Sequence, residues 1–408
     1  MAQVVFNFHD VILLMTALLC LCFAVLLIAT NPPKNIANYF LAGFLIAHAF
    51  IPFHELILWG AVFKTKVRDT FPQLIFVGGF AYYVDAVLLY FYVKSLVFRD
   101  FYLRKKDFYH LLPLVIFAAF MVAIFYRFPP IERMRMIANE TFVYSAQYIN
   151  ADFICKILRA AYCAASLQLI LKYKNILKTT HSNIEKVDIL WLTTLVIGFL
   201  AITLMETVLS SSKMMAVHTN VDLQHHNLDV FELIGLSGYY AVFVLVCTLV
   251  FTSMRYFANF ESVKQKKDRE PELHKKPVQE KILNPEFAEK IDQLMRRQKP
   301  YLFPDLTLDM LAEKLGMSAK DLSMTINRHF DNNFYEFINN YRIAEVKLML
   351  VDPKQKTKTI TDIYLDVGFN SKSVFNTFFK KIVGATPSEY RISQQLKNSV
   401  EEVGNASL

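Results

Sequence analysis

Seven runs of apolar residues, at about 10–30, 38–62, 72–98, 108–128, 153–173, 188–210 and 233–257, occupy the first 257 positions of the chain. Each run is long enough, as a helix, to cross a hydrocarbon layer of about 30 Å. The pattern predicts an α-helical membrane bundle, because a backbone in lipid must satisfy its own hydrogen bonds. Past Phe260 the apolar runs stop. The stretch ESVKQKKDREPELHKKPVQEK that follows reads as a basic juxtamembrane linker, so the expected domains are 1–257, a linker at 258–284 and a C-terminal domain at 285–408.

In that last domain the apolar positions take up amphipathic helical spacing, and one pattern occurs twice, offset by 52 residues. Thr307 matches Thr359, Leu311 matches Ile363, Leu315 matches Val367, Gly316 matches Gly368, Ser318 matches Asn370, Lys320 matches Lys372 and Leu322 matches Val374. Each copy has the grammar of a helix-turn-helix. A Thr caps a short helix, a Gly permits a turn with positive φ, and Ser318 or Asn370 caps a second helix with a Lys in its first turn. Leu311, Leu315, Leu322, Ile326, Ile363, Val367, Val374 and Phe378 are the expected core.

The segments LTLDMLAEKLGMSAKDLSMTINRHF, YEFINNYRIAEVKLML and TITDIYLDVGFNSKSVFNTFFKKIVGATPSEYR carry a resemblance. From about Leu306 to Arg391 the chain resembles the AraC/XylS family of DNA-binding domains, and the domain as a whole is set at about 285–391. The closing run from Gly368 and Phe369 through Phe375, Phe379, Lys380, Gly384, Thr386, Pro387, Tyr390 and Arg391 keeps the family's order and spacing. The resemblance implies a seven-helix domain with two helix-turn-helix motifs joined by a long helix, bound to double-stranded DNA. By position it implies base contacts at Lys320, Ser323 and Met324 on the first recognition helix and at Lys372, Ser373, Asn376 and Thr377 on the second. Arg328 and Lys380, basic residues on or at the end of the same helices, are further candidate DNA contacts by their placement. Lys can donate to guanine and Asn can pair with adenine, whereas Met324 stands where the family often has Arg. Asp331 or Asn332 replaces a turn glycine that both residue types can mimic. Tyr364 replaces the small residue that Ala312 supplies in the first copy, so packing there must be looser or adjusted.

Charge changes this picture little. The chain's net +8 divides into +3 for 258–408 (24 Lys/Arg against 21 Asp/Glu) and +5 for the rest, so it is the placement of basic residues that argues for nucleic acid. No phosphate loop, paired catalytic carboxylates or nucleophile elbow occurs, and no enzyme and no cofactor are expected. The five cysteines, Cys20, Cys22, Cys155, Cys163 and Cys247, match no metal or redox spacing. His218, Asp222, His225, His226 and Asp229 recur at short intervals, and on a helix His218, Asp222 and His225 or His226 would share a face as zinc or copper sites require, yet such clusters are more often solvated loops, and no metal is assigned.

Ionisable residues inside apolar runs are costly and mark either a cavity or a pair. His54, Glu55, Asp85, Lys156, Arg159 and Glu206 are therefore a candidate ligand pocket; the alternative is that they pair across helices and hold the bundle together. No Lys or Arg precedes the first run, and basic residues crowd the end of the last. This favours an N-terminus outside a bacterial cytoplasmic membrane and a cytoplasmic C-terminal domain. The expected protein is all-α: a seven-helix transmembrane bundle plus an AraC-like domain, acting as a one-component transcription regulator. Its expected partners are double-stranded DNA, the lipid bilayer and a small-molecule or membrane signal, with RNA polymerase and a second copy of the chain as further candidates. The competing class is a membrane receptor or transporter-like protein whose cytoplasmic domain docks proteins.

Overall fold

The computed structural model describes residues 7–30, 36–60, 62–98, 101–184, 190–219, 229–264 and 285–405 of the chain. Among them there is no strand, only an isolated β-bridge between His181 and Thr307. The α-helices are α1 (Phe8–Ala29), α2 (Ile36–Trp59), α3 (Phe63–Thr70), α4 (Asp85–Val97), α5 (Leu112–Met121), α6 (Pro130–Ala138), α7 (Ala146–Thr180), α8 (Leu190–His218) and α9 (Asp229–Lys264). They continue as α10 (Pro285–Gln298), α11 (Leu308–Leu315), α12 (Ala319–His329), α13 (Phe334–Val351), α14 (Ile360–Asp366), α15 (Lys372–Val383) and α16 (Pro387–Asn405).

Contacts divide the chain into two units. The first holds Met1–Leu171 and Leu190–Glu270; the second holds Lys172–Ile189 and Pro271–Leu408. The sequence reading placed 172–189 with the apolar runs, and of its linker residues 265–284 lie outside the described residues.

Among the described residues seven helical segments are long and apolar enough to cross a membrane, all in the first unit save the end of the fifth: Phe8–Ala29, Ile36–Trp59, Pro72–Val97, Lys105–Tyr126, Ala146–Thr180, Trp191–His218 and Leu233–Phe251. Two of them are not simple α-helices. The third opens with 3-10 turns at Pro72–Leu74 and Val77–Tyr83 before α4 begins. Gly78 explains the close approach there, since a Cβ on it would lie 2.7 Å from His54 Cβ on α2. The fourth passes from a 3-10 turn at Lys105–Leu111 into α5 and ends in a π-helical turn at Val122–Tyr126. Asn7 opens α1 with a capping box: its side chain accepts from Asp10 N, and Asp10 accepts from Asn7 N.

The second unit has two cores that share α13. Phe334, Phe337 and Ile338 of α13 pack with Ile291 and Met295 of α10 and with α11 and α12. Tyr335, Ile343, Val346 and Leu350 face the other way, packing with α14 and α15. One amphipathic helix thus carries two apolar faces. Asn333 caps it, accepting from Glu336 N, and Asp331 precedes it with φ 47°, the left-handed conformation that Asp tolerates.

Candidate nucleic-acid interface

The first motif is built as its sequence dictates. Thr307 accepts from Met310 N to cap α11, Gly316 ends that helix at φ 65°, and Ser318 accepts from Asp321 N to cap α12. Leu311, Leu315, Leu322 and Ile326 are buried and hold the two helices together. Lys320 and Arg328 are exposed on α12, and Ser323 and Met324 are half-buried beside them.

The second motif starts alike and then departs. Thr359 caps α14, accepting from Asp362 N, and Gly368 stands at φ 93°. Asn370, the residue expected to cap the next helix, does not: it is exposed, and Ser371 caps α15 by accepting from Val374 N. Phe369 keeps the place of Met317, its N–H donating to Tyr364 O as that of Met317 donates to Ala312 O, and the added residue falls after it, at Asn370, before the Ser371 cap. The offset between copies therefore becomes 53 along the recognition helices. Leu322, Thr325 and Ile326 are buried in α12, and Phe375, Phe378 and Phe379 are buried in α15. Val374, assigned to the core by the offset of 52, is only half-buried for this reason. Tyr364 is accommodated by adjusted packing, stacking on Phe375 with ring centroids 5.3 Å apart.

Both recognition helices leave a polar face open. On α15, Lys372, Ser373, Asn376, Thr377 and Lys380 are exposed, and Thr377 Oγ1 donates to Ser373 O at 2.8 Å. Lys320, Arg328, Lys372 and Lys380 make no ion pair among the described residues, whereas Lys381 pairs with Glu336 at 3.2 Å. Free cations beside amides and hydroxyls on an exposed helix are the chemistry that meets phosphates and base edges.

Residues 311–393 match the family described as helix-turn-helix domain. They form an AraC-type helix-turn-helix domain. Over 103 residues the chain is 34% identical to a helix-turn-helix-type transcriptional regulator of Staphylococcus aureus (strain COL), a match covering 25% of this chain and 13% of that protein. Over 95 residues it is 34% identical to the melibiose operon regulatory protein of Escherichia coli (strain K12), covering 23% of this chain and 30% of that one. The chain thus spans less than a third of the length of either relative. No solved structure matches it.

A buried arginine that the sequence reading did not single out holds the AraC-type domain at its centre. Arg342 of α13 is fully buried. Its guanidinium donates to Tyr301 O at 2.8 Å and Phe303 O at 3.0 Å, and to Asn339 Oδ1, Ser182 O and Ser182 Oγ at 3.3 Å each. Burial lowers its pKa to about 10, so it remains a cation at neutral pH. Gly368 lies against the same group. A Cβ there would fall 2.8 Å from Leu302 O and 3.2 Å from Arg342 Nε, so this glycine is required by space as well as by φ.

Within the first unit, the ionisable residues expected at a pocket are drawn into pairs. Arg159 of α7 donates to Asp85 Oδ2 at 2.8 Å and to Glu206 Oε2 at 2.5 Å, and Lys156 reaches Glu206 Oε2 at 3.2 Å. His48 of α2 joins Asp85 at 3.2 Å. Glu55 accepts from Tyr82 OH at 2.5 Å and from Tyr239 OH at 2.6 Å. His54 is buried against Gly78 and Gly79. Sequence reasoning located most of these charges but missed His48, Tyr82 and Tyr239, whose role depends on neighbours 27 or more positions away. Of the histidine cluster, Asp222, His225 and His226 lie outside the described residues, as does the side chain of Asp229. His218 ends α8 with its ring 2.8 Å from Met214 O. Cys20, Cys22, Cys155, Cys163 and Cys247 are free thiols.

Proposed function

We propose that the chain is a membrane-integrated one-component transcription regulator, which reads a specific DNA site through α12 and α15 and is gated by a signal reaching its seven apolar helices. The observation that carries this reading is an AraC-type domain with two exposed recognition faces in one chain with seven helices of membrane-spanning length. The relatives' printed roles, transcriptional regulation in one and a melibiose operon in the other, support the DNA half.

The orientation proposed is an N-terminus outside a bacterial cytoplasmic membrane and both recognition helices in the cytoplasm. Two spans separate residues 172–184 from the C-terminal domain and so put both on one side, and the basic residues that crowd the end of the last span favour the cytoplasm for that side. Base contacts are proposed at Lys320, Ser323, Met324, Ser373, Asn376 and Thr377, with Arg328, Lys372 and Lys380 toward phosphates. The mutual pairing of Asp85, Arg159, Lys156 and Glu206 favours a role in holding the bundle over an open pocket, since a lone charge left in hydrocarbon would be costly.

The test uses the full chain in lipid nanodiscs and a random DNA library. The expected result is enrichment of a two-part motif whose halves lie about one helical turn, ~34 Å, apart. Retention of protein partners with no enriched DNA motif would instead support a docking receptor.

A further inference from the structure

The AraC-type domain has a binding surface whose occupant comes from elsewhere in the chain. Beyond Thr180, where α7 ends, residues 181–184 lie on the second unit. His181 forms an antiparallel bridge with Thr307, the cap of α11, and Ser182 N donates to Leu306 O at 3.1 Å. Ser182 and Asn183 are buried, and Ile184 packs against the second core. The Asn183 amide donates to Pro304 O at 2.6 Å and to Gly368 O at 3.1 Å. One side chain therefore ties the approach to the first motif to the turn of the second. Arg342 closes the same junction from below, giving two of its donors to Ser182.

An amide that satisfies two carbonyls on different motifs allows few relative positions of those motifs, because hydrogen bonds weaken steeply with distance and angle. The recognition helices start at Ala319, one short helix beyond the tethered Thr307, and at Lys372, four residues beyond the tethered Gly368. Without the segment, each motif would keep its own core and the link between them would rest on α13.

We infer that residues 181–184 are a strap that holds the two helix-turn-helix motifs at one spacing, and that its seating is the step by which α7 regulates DNA recognition. The inference rests on the reading of the chain as a DNA-binding regulator. The helix that ends at the strap is uninterrupted from Ala146 and also carries Lys156 and Arg159 of the paired cluster, so a change at that cluster acts on the element to which the strap is joined.

Two measurements on the full chain in nanodiscs test it. Residues facing each other across an antiparallel bridge have Cα atoms about 4.5–5.5 Å apart, within disulfide range, so His181→Cys with Thr307→Cys should oxidise to a linked 181–307 peptide in most of the protein. Thiols that stay free at both positions would overturn the docking. DNA selection is then run with the wild type and Asn183→Ala. The wild type should enrich two half-sites at a single spacing. The variant should recover the same halves at a spread of spacings and bind the wild-type site about tenfold more weakly, as expected for two lost hydrogen bonds. An unchanged spacing and affinity in Asn183→Ala would overturn the strap.

If that variant binds no DNA, the disulfide-locked chain decides. Full binding at the wild-type spacing supports the strap, and binding that is lost on oxidation and regained on reduction refutes it. Failure of the wild type to enrich any motif would instead refute the DNA-binding reading, while the disulfide still decides whether 181–184 is docked.

Discussion

The two helix-turn-helix motifs begin from the same local pattern and are held in place by different means. In the first, Gly316 meets open space, and the turn needs only its left-handed φ. In the second, Gly368 is wedged among Leu302 O, Tyr301 O and Arg342, and its own carbonyl accepts from Asn183. The first turn is set by backbone conformation alone, the second by conformation and packing together. One added residue, Asn370, between Phe369 and the Ser371 cap then lengthens the second turn, and three phenylalanines of α15, Phe375, Phe378 and Phe379, fill positions taken by Leu322, Thr325 and Ile326 in α12. A sequence repeat and a structural repeat thus part company at a single added residue, the exposed Asn370.

The largest effect should come from the turns. Gly368→Ala combines left-handed strain with a Cβ 2.8 Å from Leu302 O, and about 3 kcal/mol or more of local stability should be lost; Gly316→Ala carries the strain alone and should cost about 1–2 kcal/mol. Hydrogen exchange of peptides from α14 and α15 against α11 and α12 measures both. Equal losses would mean that the crowding at Gly368 is not a constraint.

Next comes the register of the recognition helices. Phe375→Ala should cost about 3–5 kcal/mol as a core truncation, and Val374→Ala clearly less, reversing the order expected from the offset of 52. Chemical denaturation followed by exchange in α15 distinguishes the two offsets.

Base reading is smaller. Asn376→Ala should weaken binding to the selected site by about 1–3 kcal/mol and relax one base position, with a smaller change for Ser323→Ala at the structurally equivalent place on α12. Competition against randomised sites measures it, and equal loss on specific and random DNA would make Asn376 a backbone contact.

The smallest effects should be those of single caps and cations. Thr307→Ala and Thr359→Ala should each cost about 1 kcal/mol, since both remove a side-chain acceptor from a helix N-terminus. Lys372→Ala and Lys380→Ala should each lower the slope of log affinity against log salt by about 1, with little change in preferred sequence. An unchanged slope would remove that lysine from the phosphate contacts.

Local chemistry made much of this protein readable in advance. Run length marks the seven apolar helices, and the spacing of Thr307, Leu311, Leu315 and Gly316 marks a helix and its turn, because both signals act over a few residues along one backbone. Gly368 was recognisable as a residue needing positive φ, but not as one pressed against Leu302 and Arg342. Arg342 itself reads as an ordinary charge on an amphipathic helix, and nothing beside it in sequence announces that its partners lie at 182, 301 and 303. In the first unit, runs of apolar residues made Asp85, Arg159 and Glu206 conspicuous, whereas their pairing was left open between partners and pocket.

The sequence by itself determined the long apolar helices, the two turn glycines and the domain type, since hydrophobic period and turn chemistry are properties of neighbouring residues. Only the tertiary structure decided which charges pair, that Ser371 rather than Asn370 caps the second recognition helix, and that residues 181–184 lie in the unit of the AraC-type domain. The first and last of these depend on groups about 50 to 185 positions apart meeting at hydrogen-bond distance, as in Glu206 with Lys156 or Asn183 with Gly368. No local periodicity records such a meeting.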